Sequence, residues 1–250
     1  MTPAEILAQD EHRPWPLPSK PWLMRQQWSR LLFAHWPLDL AAIRPLVPPI
    51  LELDVRDDRA WVAVTPFFLS GLSLRRLPPI PGISSFPELN VRTYVRYQGK
   101  PGVYFFSLDA GSVAAVFGAR AMYGLPYIYA TMRIRVNRTA NSVHYDCLRR
   151  HRGKEAGFRG EYRPCGPQFQ ALPGSLEQFL VERYCLYSVV ARRLYRAEIH
   201  HIPWPLQPAV ADISLNTMTR PAGIDLPNDR PLLHYADKLD VLVWWPERLL

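Results

Sequence analysis

Residues 86–136 constrain the fold more than any other stretch of the chain. FPELNVRTYVRYQGKPGVYFFSLDAGSVAAVFGARAMYGLPYIYATMRIRV reads as strand, tight turn, strand, short helix, strand. Asn90 to Tyr97 and Gly102 to Leu108 are rich in β-branched and aromatic residues. Gly99-Lys100-Pro101-Gly102 between them carries turn chemistry. Ser112 to Tyr123 has helical spacing and stops at Gly124, a good C-cap residue. Tyr127 to Val136 then alternates, with Ile128, Ala130, Met132, Ile134 and Val136 on one face and Tyr127, Tyr129, Thr131, Arg133 and Arg135 on the other.

Two arginines in this stretch are candidates for a site. Arg120 falls on the helical face of Val113, Val116 and Phe117, which predicts that it points inward. Arg92 lies inside an otherwise apolar and aromatic strand. A guanidinium in such company needs a carboxylate or a ligand in place of its water. Glu88 and Asp109 are the nearest carboxylates in sequence. One outcome is a buried Arg–Asp pair that fixes the fold; the other is an anion-binding pocket.

The remaining strand signals set the fold class. Residues 1–20 read as an irregular arm, with Pro14, Pro16 and Pro18 at alternate positions. A strand runs through Met24, Gln26 and Trp28 toward LLFAHW, and Asp39 is placed to cap a short helix that Pro48-Pro49 ends. Leu51 to Val55 and Ala60 to Leu69 read as strands joined by a hairpin turn at Arg56-Asp57-Asp58-Arg59. Ser142 to Arg149 and Gly157 to Arg163 read as antiparallel strands. Ser175 with Gln178 forms a capping box for a helix over Leu176 to Arg183. Tyr184 to Val190 and Leu194 to His200 suggest a hairpin, and Ile213 to Met218 and Leu239 to Trp245 the last strands. About ten to twelve strands with two or three short helices define an α+β fold, mainly antiparallel β, with a curved or closed sheet.

At 250 residues and 48% apolar, the chain can bury a large core. The net charge of +8 raises nucleic acid or a membrane surface as partners. However, no recognition helix or zinc finger accompanies the clusters at Arg149-Arg150-His151-Arg152 and Arg192-Arg193, so nucleic acid is not expected. The three cysteines, Cys147, Cys165 and Cys185, have no spacing motif. There is no signal pattern at the N-terminus and no apolar run of spanning length. These features predict a cytoplasmic protein with reduced thiols and no membrane association.

Several segments carry a family resemblance. FPELNVRTYV, GVYFFSLDA, ARAMYGLPY and EIHHIPWPLQ resemble a bacterial family known as YqjF-like, a domain of unknown function. That family is placed in the acetoacetate-decarboxylase-like superfamily. The resemblance runs from Pro21 to the strand near Gln207. It implies one acetoacetate-decarboxylase-like domain over residues 21–250, built as an antiparallel β-cone with small helices beside it. The decarboxylases have a Gly-Arg-Glu run, a glycine and then Pro-Lys-Lys. Here the same segment reads Gly118-Ala119-Arg120-Ala121, Gly124, then Pro126-Tyr127-Ile128. Arginine, glycine and proline are matched; both lysines are absent.

The Schiff-base chemistry of the decarboxylases needs a desolvated lysine. Lys100 lies in a turn, Lys154 among His151, Arg152 and Glu155, Lys20 in the arm, and Lys238 between aspartates. Tyr127 at the lysine position can donate a hydrogen bond to a carbonyl or enolate oxygen. The candidate catalytic residues are therefore Tyr127 and Arg120. The candidate ligand-binding residues are Arg92, Glu88, Tyr94, Asp109 and His200. In a strand His200 and His201 point to opposite faces, so no metal site is expected, and no cofactor motif is present. Three function classes follow. One is a lysine-independent lyase or isomerase acting on a small carboxylate or carbonyl compound. The second is a non-catalytic protein binding the same class of molecule. The third is an arginine-rich interaction protein, with Arg149, Arg150, Arg152, Arg192 and Arg193 as an exposed stripe. A homo-oligomer is compatible with each.

Overall fold

The structure, a computed structural model, describes residues 1–151, 153 and 155–250. In chain order the described residues form α1 (Pro3–Leu7), β1 (Met24–Leu38), α2 (Leu40–Ile43), β2 (Glu52–Leu53), β3 (Ala60–Leu74), β4 (Phe86–Tyr97), β5 (Lys100–Ala110) and α3 (Val113–Tyr123). They continue with β6 (Tyr127–Tyr129), β7 (Thr131–Asn137), β8 (Ser142–Arg149), β9 (Ala156–Pro164), α4 (Leu176–Val181), β10 (Cys185–Val190), β11 (Arg193–His200), β12 (Leu206–Asn216), β13 (Leu232–Val243) and β14 (Glu247–Arg248).

Strand pairing closes the sheet. The path β11–β10–β5–β4–β3–β1–β13 returns to β11 through Ile199 opposite Val243 and His200 opposite Leu242. From β13 the sheet runs on through β12, β9, β8 and β7. Closure removes most of the unpaired edges that an open sheet would present.

Period-two alternation divides the ring strands between two cores. On β1, Leu31 and Phe33 face one core while Leu32, Ala34 and Trp36 face the other. On β3, Phe67 and Leu69 join the first core, and Val62 and Val64 the second. The second core also takes Tyr145, Phe158 and Tyr162 from β8 and β9, so the second sheet covers the outside of the ring. Burial on both faces explains why β3 reads as a near-continuous apolar run, AWVAVTPFFL.

Local chemistry follows the sequence at several joints. Ser112 accepts a hydrogen bond from Ala115 N, and α3 ends at Gly124 with φ of 60°. A Cβ at Gly124 would lie 2.2 Å from Val190 Cγ2, so both the left-handed backbone and the close approach require glycine. Ser175 caps α4 by accepting from Gln178 N, but the Gln178 side chain accepts from Gly174 N rather than from Ser175.

Other joints differ. The turn between β4 and β5 is the pair Gln98-Gly99, both at positive φ, so Lys100 and Pro101 already belong to β5. Asp57 and Asp58 do turn the chain with φ near 55°, yet β2 pairs with β4 instead of forming a hairpin with β3. Asp39 makes no capping hydrogen bond; its carboxylate pairs with Arg59 at 2.7 Å. The arm contains a helical turn, α1, whose Ile6 packs on Leu242 and Trp244. Arg13 in the same arm is buried against Glu198 at 3.0 Å.

Candidate functional site

Inside the ring lies a cavity of about 480 Å³. Strand β4 supplies its polar stripe. Glu88, Asn90 and Arg92 occupy alternate positions of one strand and all line the cavity, as the two-residue period requires. Thr65, opposite Asn90 on β3, also lines it. Most of the remaining wall is apolar, including Phe33, Phe67, Phe105 and Leu108.

Arg92 is 8% exposed and has no carboxylate partner among the described residues. Its guanidinium donates one long hydrogen bond, 3.4 Å, to Leu180 O, and lies over the rings of Phe33 and Tyr94 at 5.4 and 5.9 Å. Its Nε has no acceptor. Thr65 Oγ1, Asn90 Oδ1 and Trp204 Nε1 are likewise buried without a partner, and all three residues line the cavity. Buried polar atoms are normally hydrogen-bonded, and these four leave hydrogen-bonding capacity open on the cavity wall.

Nearby charges reinforce this. Arg183 also lines the cavity, held by Asp54 at 2.5 Å and stacked on Phe179 at 4.3 Å. Asp54 also binds Arg96 at 2.6 Å. One carboxylate thus serves two arginines, while Arg92 adds a further positive charge.

Glu88 has the opposite problem. It is 3% exposed, and burial pushes its carboxyl up to about 8, against the lowering effect of the Tyr127 hydroxyl, which donates to it at 3.2 Å. Asp109 adds a smaller upward push. Burial, and then Glu88 itself, hold the Tyr127 phenol well above its ordinary value. At neutral pH Glu88 is therefore mostly protonated, a hydrogen-bond donor in an apolar cavity.

The structure brings Arg92, Glu88 and Tyr127 together on the cavity and leaves the other sequence candidates off it. Arg120 is exposed, and its Nε donates to Tyr127 O at 2.6 Å. Of its expected inward neighbours only Val116 is buried; Val113 and Phe117 are 52% and 69% exposed. In VAAVFGARAMY almost every residue is small or apolar, so no single apolar stripe fixes the helix rotation, and Val116 and Tyr123 turn inward instead. Asp109 pairs with Arg149, whose chain position gave no hint of it. Tyr94 is buried with its hydroxyl 2.8 Å from His35 Nε2. His200 faces the arm, 2.9 Å from Ile6 O and 3.3 Å from Arg13. His201, pushed down to about 3 chiefly by burial, lines the cavity in its place. Because Arg149 is 2% exposed, it belongs to no surface stripe; Arg150, Arg192 and Arg193 are exposed, and Arg152 lies outside the described residues.

Asn90, Thr65, Arg183 and Trp204 escaped the sequence reading, which singled out the pair His200-His201 without fixing which of the two faces a pocket. The polar run Glu88, Asn90, Arg92 at every second position was the available signal for Asn90. The others reach the cavity from distant strands and loops. Among the described residues no lysine lines the cavity. Lys100 pairs with Glu198 at 3.0 Å and lies over Trp15, Lys20 and Lys238 are exposed, and Lys154 lies outside the described residues. No group of three or more potential metal ligands occurs among the described residues, and no helix there is long and apolar enough to cross a membrane.

The closed, curved sheet with its short helices is the fold of acetoacetate decarboxylase-like enzymes. An acetoacetate decarboxylase-like enzyme from Sphingomonas wittichii RW1 superposes with a TM-score of 0.63 at 12% identity, over 92% of this chain and 94% of that one. The enduracididine biosynthesis enzyme MppR, complexed with pyruvate, gives 0.64 at 11% identity, over 95% and 93%. The chain belongs to the family DUF2071, described as an uncharacterized conserved protein, which it matches over residues 25–240. It is 51% identical over 228 residues to the uncharacterized protein YqjF of Bacillus subtilis strain 168, covering 91% of this chain and 93% of that protein.

Proposed function

We propose that the cavity binds a carboxylate that also carries a carbonyl group, and that Glu88 and Tyr127 act on the carbonyl as a proton-bearing pair. The observation that carries this reading is Arg92, a buried guanidinium facing the cavity with no protein carboxylate to balance it. A ligand carboxylate supplies the missing charge and the missing acceptor. Protonated Glu88 then donates to the carbonyl oxygen, with Tyr127 holding its second oxygen. Such a donor polarises the carbonyl and stabilises the enol, while a water molecule in the cavity takes the proton from the neighbouring carbon and returns one from solvent on reketonisation. Pyruvate in MppR is in keeping with this ligand class.

Lysine-independent proton transfer is the enzymatic form of this reading, with a non-catalytic binding protein as its rival. The rival draws support from the absence of any lysine on the cavity among the described residues. Thermal-shift measurements with pyruvate and acetoacetate, on the wild type and on Arg92→Met, test the binding. We expect stabilisation of the wild type and none of the variant. Equal shifts in both would end the assignment of Arg92. Exchange for deuterium in heavy water, read on the C–H groups beside the oxo group of a longer oxo acid whose oxo group reaches Glu88 while its carboxylate sits at Arg92, separates the two forms: exchange lost in Glu88→Gln marks the enzyme, and binding without exchange marks the binder.

A further inference from the structure

The cavity is larger and more apolar than a three- or four-carbon oxo acid requires. At the liquid-water share of ~30 Å³ per molecule, its volume of about 480 Å³ has room for on the order of sixteen non-hydrogen atoms. A three-carbon oxo acid would fill well under half. Cavities of roughly 300–1,000 Å³ take drug-sized molecules.

The polar atoms are not spread evenly over this space. They follow β4 in order. Arg92 stands at one end, against Leu180 O of α4 and the Phe33 ring. Asn90 and Glu88 come next, and Phe86 follows toward the opposite end. At roughly 3.3 Å per residue, the strand carries the lining about 13 Å from Arg92 to Glu88. Beyond Phe86 the wall comes from the loop between β3 and β4, through Leu77, Ile80 and Ile83, and from α3, through Ala115, Gly118 and Met122. Leu77 and Ile80 are 59% and 60% exposed, so this end reaches the surface. The cavity is therefore cationic at its buried end and mainly apolar from Phe86 to its mouth, where Ser73 and Ser84 add hydroxyls.

We infer, resting on the reading above, that the ligand is a long-chain amphipathic carboxylate, with its carboxylate at Arg92 and an apolar tail running past Glu88 toward the β3–β4 loop and α3. A short acid satisfies the anchor and leaves the apolar wall uncovered; an acid of about fourteen carbons, which has on the order of sixteen non-hydrogen atoms, fills the space. The Glu88–Tyr127 pair then meets the chain part-way along, several carbons from the carboxylate. An oxo or hydroxy group at such an internal position is the polar feature that the site would recognise.

Gly118 provides a way to test the tail without disturbing the anchor. It lines the cavity from within α3, and a Cβ there would meet no atom within 4 Å. Gly118→Leu places bulk in the tail region and favours the helix. Titration calorimetry with octanoate, dodecanoate and tetradecanoate, on the wild type, Gly118→Leu and Arg92→Met, reads both ends of the cavity. In the wild type we expect Kd to fall roughly fourfold for each added methylene. Gly118→Leu should weaken tetradecanoate at least tenfold and leave octanoate within twofold. Arg92→Met should weaken all three acids. A flat series that still depends on Arg92 overturns the inference and leaves the carboxylate reading standing, and so does a rising series that Gly118→Leu does not touch. No binding by any acid, or binding indifferent to Arg92→Met, overturns both.

Discussion

Arg149 grips Asp109 at two points, Nε to Oδ1 at 2.7 Å and Nη2 to Oδ2 at 2.6 Å, with both side chains almost wholly buried. The same guanidinium donates to Ser107 Oγ at 2.7 Å. The pair ties the end of β8 in the second sheet to β5 in the ring. It also engages the carboxylate that Arg92 or Arg120 would otherwise have claimed. Among the described residues Arg13, Arg149 and Arg183 are buried arginines paired with carboxylates, and Arg92 is buried without one.

That contrast predicts opposite responses to the same substitution. Arg149→Met leaves the Asp109 carboxyl at 0% exposure without its cation and with only Ser107 hydrogen-bonded to it, which should cost about 3–5 kcal/mol. Arg92→Met strands no carboxylate and removes an uncompensated buried charge, so apo stability should change by no more than about 1 kcal/mol in either direction. Urea unfolding of the two variants measures both. Equal losses would show that Arg92 is held by the fold as firmly as Arg149.

Glu88 predicts a pH dependence. Its folded-state carboxyl is raised to about 8 from an ordinary value of 4.5. Between those limits the folded protein holds a proton that the unfolded chain releases, so stability is fully present below pH 4.5 and falls as pH rises toward 8. His200 and His201, pushed down to about 4 and about 3 mainly by burial, act in the other direction: they lose stability as pH falls below 6.5. The two effects oppose each other from pH 4.5 to 6.5. Above 6.5 Glu88 acts without them, at up to about 1.4 kcal/mol per pH unit. Melting temperatures at pH 6.5 and 8 should therefore fall in the wild type and stay nearly level in Glu88→Gln. Parallel declines would place the titrating group elsewhere.

What the sequence revealed was periodic and local. The strand pair β4–β5, the capped helix α3 and the β10–β11 hairpin each depend on residues within about twenty positions of one another. The site was legible to the same extent. Glu88 and Arg92 share a strand face, and Tyr127 starts the next short strand, so their convergence needs only the β4–β5–β6 unit. Apart from Arg120, whose helix lacks a single apolar stripe, the misplaced site residues were claimed by distant segments. Asp109 is claimed from 40 residues away, His200 by the arm 194 residues earlier, and Asp54 is shared by Arg96 and Arg183. Ring closure determines which face of a strand meets which partner, and no short-range pattern encodes it.

Arg120 predicts a milder loss. Its exposed side chain reaches across the α3–β6 turn to the Tyr127 carbonyl. Arg120→Ala should lose about one ordinary hydrogen bond, roughly 0.5–1.5 kcal/mol. Carboxylate binding should persist, because the guanidinium does not line the cavity. Abolished binding with a normal melting temperature would instead make Arg120 a site residue.

The last prediction concerns covalent chemistry. A Schiff base requires a lysine that is uncharged at working pH and able to reach a ligand carbonyl. Lys100 does not reach it, since its ammonium is tied to Glu198 and lies 4.5 Å from the Trp15 ring centre, away from the cavity. Lys20 and Lys238 are exposed and do not line the cavity. Tyr127, beside Glu88, cannot form an imine. Incubation with acetoacetate or acetopyruvate followed by borohydride should therefore leave the protein's mass unchanged. Mass spectrometry of the intact chain and of its peptides checks this for all four lysines, Lys154 included. An adduct on any one of them would replace the proton-transfer reading with imine chemistry and identify the nucleophile directly.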